Sequence, residues 1–488
     1  MKNIFVLFIY LTLISSVSRG QIVTIPDANF KAYLLKNYDQ NKDSIIQTDE
    51  VDSVYTLTIS YKSIANLGGI EAFVNLKELN CDNNSLTSLN ISQNTSLTKL
   101  NCFNNKITTL DLTKDTLLTY LNCSSNQLTA LNVTKNCSLT TLNCYNNKIA
   151  TLDVTKDTLL NSLSCSVNNL GALNVSKNPL LTLLYCSSNH IATLDVSNDS
   201  LLTSLSCDNN KITTLNLSKH KQLYYLDCST NLLTALNVSN SPALNSLYCT
   251  ANKITSLDLS KNTDLQYLFC STNSLTSLDI SLNTALNYVD CSTNQLTTLN
   301  VSNNKDLTDL FCQSNKLTAL DLTKNPALLH LYCYSNTLAA LDLSSNTELK
   351  TLLAYSNKLT TLDVSKNLHI GELDCFTNLL TSLDISLNNE LYFVDCTTNT
   401  GLKIICVNTT QLGLSSAWRK DVAAKWDATC GAANGIEDYN VFEEAEIISI
   451  YNLLGQTVTL EHTRENEGLY IYHYNNGTVK KIYTVISQ

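Results

Sequence analysis

A 21-residue repeat from Leu76 to about Leu412 constrains this chain more than any other feature of its sequence. The repeat reads L-x-x-L-x-C-x-x-N-x-L-x-x-L-x-V. Its ninth position is Asn in all sixteen copies, and its sixth is Cys in fifteen, with Ala354 as the exception. A fixed period of about 20 to 50 residues predicts stacked units that share one core. We therefore expect one elongated body here rather than several separate domains.

The two halves of the repeat predict two different sides of that body. In the L-x-x-L-x-C half, inward and outward positions alternate as in a short β-strand, so successive strands should stack in parallel into one sheet. The Asn follows the strand, where its amide can pair with backbone groups of the turn. The L-x-x-L-x-V half turns its apolar residues inward again. Because 21 residues leave no room for a helix, this second side should be extended or 3₁₀.

Most of the 18 cysteines share one phase of the repeat. Residues at one phase point the same way in every turn, so these cysteines are predicted to be buried free thiols rather than disulfides. Cys137, Cys406 and Cys430 lie off this phase. Cys406 and Cys430 flank the end of the array and are the disulfide candidate, whereas Cys137 falls in an exposed turn and has no assigned role.

The first twenty residues have the pattern of a secretory signal peptide. Lys2 precedes an apolar run from Ile4 to Leu13, and small polar residues follow up to Gly20. This order predicts a signal peptide over residues 1–20 and an exported protein. No later segment reaches the roughly 20 apolar residues that a transmembrane helix needs. The formal net charge of −10 argues against a nucleic-acid partner, which requires a basic surface.

Residues 21–54 are expected to form a helical cap for the open N-terminal end of the stack. Pro26 and Asp27 suit the start of a helix, and Phe30, Leu34 and Leu35 would lie on one of its faces.

The next segment resembles the calcium loop of an EF-hand. Short oxygen-bearing side chains at alternate positions wrap a hard cation, and a distant Glu completes the coordination sphere. However, Ser44 stands where such loops have Gly. One interpretation is a single structural calcium ion, the only cofactor predicted, and the other is a solvated acidic turn. The candidate ligands are Asp39, Asn41, Asp43, Ile45 and Glu50.

Between Leu57 and Leu76, the series L-x-I, I-x-x-L-x-x-I and F-x-x-L resembles the repeats of internalin-like bacterial leucine-rich-repeat proteins. The 21-residue repeat is similar to that of their shorter bacterial relatives. The resemblance extends from Ile25 to about Cys430. It implies a leucine-rich-repeat solenoid over residues 55–411, with a parallel β-sheet on its concave face and an extended or 3₁₀ convex side.

A C-terminal cap is expected over residues 412–431. Trp418, Val422 and Trp426 have the spacing of one helical face. We expect this helix to cover the last turn and the Cys406–Cys430 disulfide to hold it there. Similar cysteine-linked caps close related secreted repeat proteins.

Residues 432–488 leave the repeat and alternate like strands, with Asn476-Gly477 as a hairpin turn. Ile450-Tyr-Asn-Leu-Leu-Gly-Gln, then Gly468-Leu-Tyr-Ile, then Lys480-Lys481 resemble the type A sorting domain of the type IX secretion system. This resemblance implies a small all-β domain that the secretion machinery recognises and removes. The protein would then be secreted by a Gram-negative bacterium or attached to its outer surface.

The outward strand positions, third, fifth and seventh in each repeat, are rich in aromatic and acidic residues, above all after Tyr185. Exposed aromatic rows are typical of recognition surfaces. Aromatic residues also favour strands and can stabilise a sheet by contacting their neighbours, so both interpretations stay open. The candidate ligand-binding residues are Tyr185, Tyr225, Asp227, Tyr248, Tyr267, Phe269, Tyr288, Asp290, Phe311, Tyr332, Tyr334, Tyr355, Asp374, Phe376 and Phe393.

The sequence predicts no catalytic residues. No two of the six His have ligand spacing, and no Ser or Cys nucleophile has a placed base. The first hypothesis is a monomeric, non-enzymatic adhesion protein that binds a protein partner on its concave face. The second is a carbohydrate-binding protein whose aromatic residues stack on sugar rings, and the third is a purely structural role. The excess of acids favours a cationic protein or a calcium-bridged glycan.

Overall fold

The computed structural model of this chain describes residues 20–430, 447–452, 457–458, 468–474 and 479–484. The chain forms two compact units, Met1–Gly431 and Ala432–Gln488. The predicted signal peptide and the predicted Asn476-Gly477 turn lie outside the described residues. No helix in the described part of the chain is long and apolar enough to cross a lipid bilayer.

The N-terminal cap begins with the helix Ala28–Asn37. The Asp27 carboxylate accepts N–H groups of the first helical turn, which would otherwise lack partners. Phe30 and Leu34 are fully buried and join the apolar core of the solenoid. A second, four-residue helix, Thr48–Val51, closes the EF-hand-like loop.

The concave face of the solenoid is one parallel sheet of seventeen strands. Strands of successive turns pair in register, so equivalent residues of neighbouring turns stand side by side, as in Leu205 beside Leu226. In each strand the middle residue is buried and its neighbours face outward. The strands are Thr56–Thr58, Glu78–Asn80, Lys99–Asn101, Tyr120–Asn122, Thr141–Asn143, Ser162–Ser164, Leu183–Tyr185, Ser204–Ser206, Tyr225–Asp227, Ser246–Tyr248, Tyr267–Phe269, Tyr288–Asp290, Asp309–Phe311, His330–Tyr332, Thr351–Leu353, Glu372–Asp374 and Phe393–Asp395.

The convex side is built from consecutive tight turns, as the short repeat predicted. Asn94 N donates to Ile91 O at 2.8 Å and Leu97 N to Asn94 O at 3.0 Å, both in the i to i+3 pattern of 3₁₀ structure. The first repeat contains a complete 3₁₀ helix, Ile70–Ala72. Two-residue parallel strands join two of the turns, Leu173–Asn174 and Leu194–Asp195.

The Asn of the repeat, called here the first Asn ladder, has the structural role predicted for it. Asn105 Nδ2 donates to the carbonyls of Cys81 and Cys102, both at 3.1 Å, and Asn105 Oδ1 accepts Leu86 N at 2.9 Å. The ladder cysteines are buried free thiols, as predicted, and burial raises the pKa of Cys102 to about 12. Ala354 fills the same buried place.

The C-terminal cap differs in part from its prediction. Cys406 and Cys430 form the predicted disulfide. However, Trp418, Val422 and Trp426 do not share a helical face. Helix Thr409–Leu414 and 3₁₀ helix Ser415–Ala417 end before Trp418.

Trp426 instead lies in the strand Lys425–Asp427, whereas Val422 is fully exposed. The physical reason is that this strand continues the solenoid, pairing with Ile404–Cys406, which itself pairs with Leu383–Asp384. The two Trp rings still meet edge to face, with their centroids 5.7 Å apart.

The C-terminal unit is an antiparallel four-stranded sheet, as its alternating sequence predicted. Its strands are Ile447–Asn452, Thr457–Val458, Gly468–Tyr474 and Val479–Thr484. The Ile447–Asn452 strand pairs with both Thr457–Val458 and Gly468–Tyr474, and Val479–Thr484 forms the far edge.

Candidate recognition surface

One continuous aromatic stack crosses the concave face of the later turns. Six successive turns each contribute one ring, and neighbouring ring centroids are 4.4 to 5.4 Å apart. Strands of a sheet lie about 4.8 Å apart, which is close to the distance at which rings stack. In-register pairing brings together two of the five ring pairs, and the other three contacts run diagonally between the third and fifth positions of neighbouring strands. The first stack comprises Tyr225, Tyr248, Phe269, Tyr288, Phe311 and Tyr332.

A second stack begins where the first one ends. Tyr334, Tyr355 and Phe376 occupy the seventh position in three successive turns. Their ring centroids are 4.2 and 4.4 Å apart, with both ring pairs within 10° of parallel. Tyr334 shares its turn with Tyr332, so the two stacks together cover eight turns.

The stacking determines which part of each ring a ligand can reach. Four of the seven ring pairs are stacked face to face, so their rings present mainly edges and hydroxyl groups to the groove. Two pairs are tilted, and Phe311 and Tyr332 meet edge to face. Nine of the aromatic candidates thus contact another ring and can stabilise the sheet. Sugar rings stack on aromatic faces, and the faces within the four stacked pairs are occupied. The stacks consequently suit polar contacts with a protein better than carbohydrate stacking.

The remaining aromatic candidates are more separate. Tyr185, Tyr267 and Phe393 take no part in the ring contacts of the two stacks. Tyr267 is 38% exposed, which is the highest exposure among the candidate rings. It lies beside Ser246 and Tyr288 on neighbouring strands.

Carboxylates accompany the first stack. Asp227 Oδ1 accepts Ser229 N at 3.0 Å, and Asp290 Oδ1 accepts Ser292 N at 3.1 Å, so both side chains are held at the strand ends. Burial raises the pKa of Asp227. Burial and the Asp227 charge together raise the pKa of Tyr225 to about 12, so its hydroxyl keeps its proton.

A group of three carboxyls closes the concave face at its C-terminal end. Burial and the neighbouring Asp395 raise the pKa of Asp374 to about 8, and burial raises the pKa of Glu372. Asp395 Oδ2 lies 3.1 Å from Arg419 Nη1. Sequence reasoning missed Arg419 because it belongs to the cap, and only the pairing of Asp395 with Arg419 places it here.

The concave face is negative where the stacks lie. Among the described residues, its ion pairs with Lys or Arg are Lys99 with Glu78 near the N-terminal end and Arg419 with Asp395 at the C-terminal end. Asp309, between these ends, accepts instead from the Thr308 hydroxyl at 2.7 Å. The stacked turns therefore combine aromatic edges with carboxylates that no Lys or Arg neutralises within the described residues.

The EF-hand-like loop is wrapped around its own polar groups. Asp39 Oδ2 accepts Ser44 N at 3.0 Å, Asn41 Oδ1 accepts Asp43 N at 2.9 Å, and Asp43 Oδ1 accepts Ile45 N at 2.9 Å. Ser44 has a φ of 64°, so it adopts the left-handed turn conformation that Gly usually provides.

Donor chemistry in this loop fits a hard cation. Asp39 Oδ1 is buried without a protein hydrogen-bond partner, and the loop offers carboxylate, amide and carbonyl oxygens. Glu50 differs, because its carboxylate accepts Gln40 N at 2.8 Å and Gln47 N at 3.0 Å. No cluster of three or more His, Cys, Asp or Glu side chains suited to a metal occurs in the described part of the chain.

Solved structures of bacterial leucine-rich-repeat proteins are similar to this chain. The functional domain of InlJ from Listeria monocytogenes, which includes a cysteine ladder, matches 96% of this chain and 99% of its own at 28% identity, with a TM-score of 0.66. LIC12759 from Leptospira interrogans matches 71% of this chain and 93% of its own at 26% identity, with a TM-score of 0.61.

A third structure, YopM from Yersinia enterocolitica, shows the same fold at 21% identity. It covers 78% of this chain and 92% of its own, with a TM-score of 0.56. No protein-family model and no curated protein matches the sequence. The fold is thus a leucine-rich-repeat solenoid with bacterial internalin-like structural neighbours.

Proposed function

We propose that this protein is a non-enzymatic recognition protein that binds a protein partner on its concave face. The observation that carries the proposal is the pair of aromatic stacks, together with the carboxylates beside them. Aromatic residues are enriched in the central contacts of protein interfaces, where they bury large areas at little entropic cost. Internalin-like proteins have the same solenoid and supply the analogy for protein recognition.

The partner's chemistry follows from the surface. Eight turns span about 35 Å at the spacing of parallel strands, which accommodates roughly ten residues of extended chain. Carboxylates and Tyr hydroxyl oxygens accept hydrogen bonds from Lys and Arg side chains and from backbone N–H groups. We therefore propose a cationic, extended segment of a protein as the ligand.

Charge-neutralising variants test this function. In the full chain, Asp227→Asn/Asp290→Asn/Asp309→Asn should weaken capture of Lys- and Arg-rich peptides from an immobilised peptide library by roughly tenfold or more. The matched control, Asp258→Asn/Asp279→Asn/Asp321→Asn, removes the same charge from exposed convex carboxylates. Equal loss in both variants would show non-specific charge attraction and contradict the proposal.

A separate experiment tests the carbohydrate hypothesis. A glycan array probed with the full chain should give no binding that depends on the stacks. If sugar binding is found and Phe269→Ala abolishes it, the carbohydrate interpretation is correct instead.

We further propose that the protein reaches the outer surface or the medium through its C-terminal unit. The supporting observations are the signal-like start, the sorting-domain resemblance and the compact sheet of that unit. When the full chain is expressed in a Gram-negative host with a type IX system, the secreted protein should be found outside the cells in a form that has lost residues 432–488. Deletion of those residues should retain it in the periplasm, and unchanged export of the deletion variant would contradict the proposal.

A structural calcium ion in the N-terminal cap is the third part of the proposal. Asp39, Asn41, Asp43 and the Ile45 carbonyl would hold the ion, and Glu50 would join them if it releases its amides. Calcium, but not magnesium, should raise the midpoint of thermal unfolding by a few degrees. Asp39→Asn/Asp43→Asn should abolish the shift, whereas the control Asp49→Asn/Asp52→Asn should retain it.

A further inference from the structure

A second ladder of buried polar residues runs along the solenoid, 21 residues apart. In most turns it is an Asn whose amide closes the preceding turn: Asn136 Nδ2 donates to Leu112 O at 3.1 Å and to Asp115 O at 2.8 Å. These side chains are 0 to 1% exposed. The Asn members are Asn94, Asn136, Asn178, Asn262, Asn283, Asn304, Asn325, Asn346, Asn367 and Asn388.

Three members of this second ladder are acids. Asp115, Asp157 and Asp199 are 0% exposed and alternate with Asn in the first half of the solenoid. Neither carboxyl oxygen of any of them has a hydrogen-bond donor among the described residues. Each carboxyl therefore occupies the position at which Asn donates a hydrogen bond, but an ionised carboxylate cannot donate one.

The repeat shows what these carboxyls face. The Asn at this position reaches the carbonyls 24 and 21 residues earlier, as Asn178 does with Val154 O and Asp157 O at 2.9 and 2.8 Å. The equivalent carbonyls for Asp157 in the repeat are those of Val133 and Asn136. Two oxygens face each other without repulsion only if one carries a proton.

The charges around the three acids do not favour ionisation. The charged groups that act on them are Asp111, Asp153 and Asp195, one on the same turn in each case, and all three disfavour a second negative charge. The ladder neighbours are uncharged amides, apart from the buried His220 next to Asp199. Burial is the larger cause and raises the pKa of each acid to about 7.

We propose that Asp115, Asp157 and Asp199 act as a proton-dependent lock, in which each neutral carboxyl donates its O–H to a carbonyl of the preceding turn. Loss of these protons opens residues 91–199, called here the acidic segment. The later turns stay closed, because Asn provides the same donors at any pH. Within the second ladder, the first half of the solenoid thus responds to pH and the Asn-containing turns of the second half do not.

The sign of the effect follows from proton linkage. The ordinary pKa of Asp is near 3.8, so the folded acidic segment binds more protons than the unfolded chain between about pH 4 and pH 7. Its contribution to stability is complete below pH 4 and is lost as the pH rises through 7. Burial lowers the pKa of His220, which acts in the opposite direction below about pH 6. A window from pH 6.5 to 8.5 therefore separates the three acids from His220, although the pKa of Asp374 at the far end of the solenoid, about 8, is also raised into this window.

Hydrogen exchange of the full chain tests the lock. Between pH 6.5 and 8.5, after correction for intrinsic rates, peptides from residues 91–199 should lose protection by roughly fourfold for each acid that ionises. Peptides from residues 262–346, which end before the buried Glu372 and Asp374, should keep theirs. The variant Asp115→Asn/Asp157→Asn/Asp199→Asn supplies permanent donors and should remove the pH dependence. Unchanged pH dependence in this variant would overturn the proposal, and so would equal loss in both halves.

A reversed variant keeps the test decisive. Asn304→Asp/Asn346→Asp places acids in the second half and should create pH-dependent exchange there. It can be refolded at low pH, where the carboxyls are neutral. Infrared spectroscopy at pH 6 should also show a band of buried, protonated carboxyl groups that is stronger in the native chain than in the triple Asn variant, which retains Asp374. Bands of equal strength in the two chains would contradict the neutral acids.

Discussion

The two halves of the solenoid share a fold and a register but differ at two sets of positions. In the first half, most outward strand positions carry small polar side chains, as in Asn101 Nδ2 donating to Asn80 Oδ1 at 3.0 Å. Aromatic side chains also lie there, at Phe103, Tyr120 and Tyr145. In the second half, aromatic stacks occupy the same positions. The second ladder also differs between the halves: it contains acids in the first half and an unbroken series of Asn from Asn262 onward. The proposed recognition surface and the proposed proton-dependent lock therefore lie on different turns of one scaffold.

Loss of the first Asn ladder should have the largest effect, and it should be equal in the two halves. Asn147→Ala and Asn294→Ala each remove donors to two Cys carbonyls at 3.0 to 3.1 Å and one acceptor for a backbone N–H. Buried groups left unpaired cost about 3 kcal/mol or more in total. Urea unfolding of the full chain measures this, and a markedly smaller loss at Asn147 would show that the first half is already loosened.

Substitutions at the fifth position of the repeat should show the clearest difference in stability effect between the two halves. Phe269→Ala removes two ring contacts of 4.4 and 4.5 Å and should cost about 2 kcal/mol of unfolding free energy. Asn143→Ala, at the same position in the first half, should cost less than about 0.5 kcal/mol. Equal effects in urea unfolding would mean that the stacks contribute no stability.

The smallest expected effect is a gain in stability. Each repeat has a residue with positive φ before its Asn, and in one turn of the first half this residue is Val167, with φ of 55°. A β-branched residue is strained there, so Val167→Gly should stabilise the chain by about 0.5 to 1 kcal/mol. Thermal unfolding measures the effect against the control Ser188→Gly, and Val167→Gly should raise the unfolding temperature more than the control does.

Much of the scaffold could be predicted from the sequence. The strand, the buried Cys and the first Asn ladder follow from one short pattern, because each residue has a single possible direction in a stacked turn. The cap at Trp418 was predicted wrongly, since a spacing of four residues fits a helix but also occurs by chance in a strand that follows a turn.

The candidate surface was predictable only in part. The aromatic positions could be identified, but the way in which rings from the third and fifth positions alternate in one stack depends on side-chain rotamers. The second ladder was missed because residues such as Asn94 and Asp115 look like ordinary turn residues in sequence. Their burial arises from the neighbouring turn, 21 residues away, which contributes the carbonyl partners.

The alternation of Asn and Asp in the second ladder also bears on how the molecule evolved. Residues 101–118 and 143–160, two turns apart, are nearly identical and both end in Lys-Asp-Thr-Leu-Leu. A period of 42 residues is the pattern that duplication of a two-turn gene segment leaves behind. Each such event lengthens the scaffold by about 10 Å and copies one buried acid with it. Growth of the gene would therefore add length and sensitivity to rising pH in the same step.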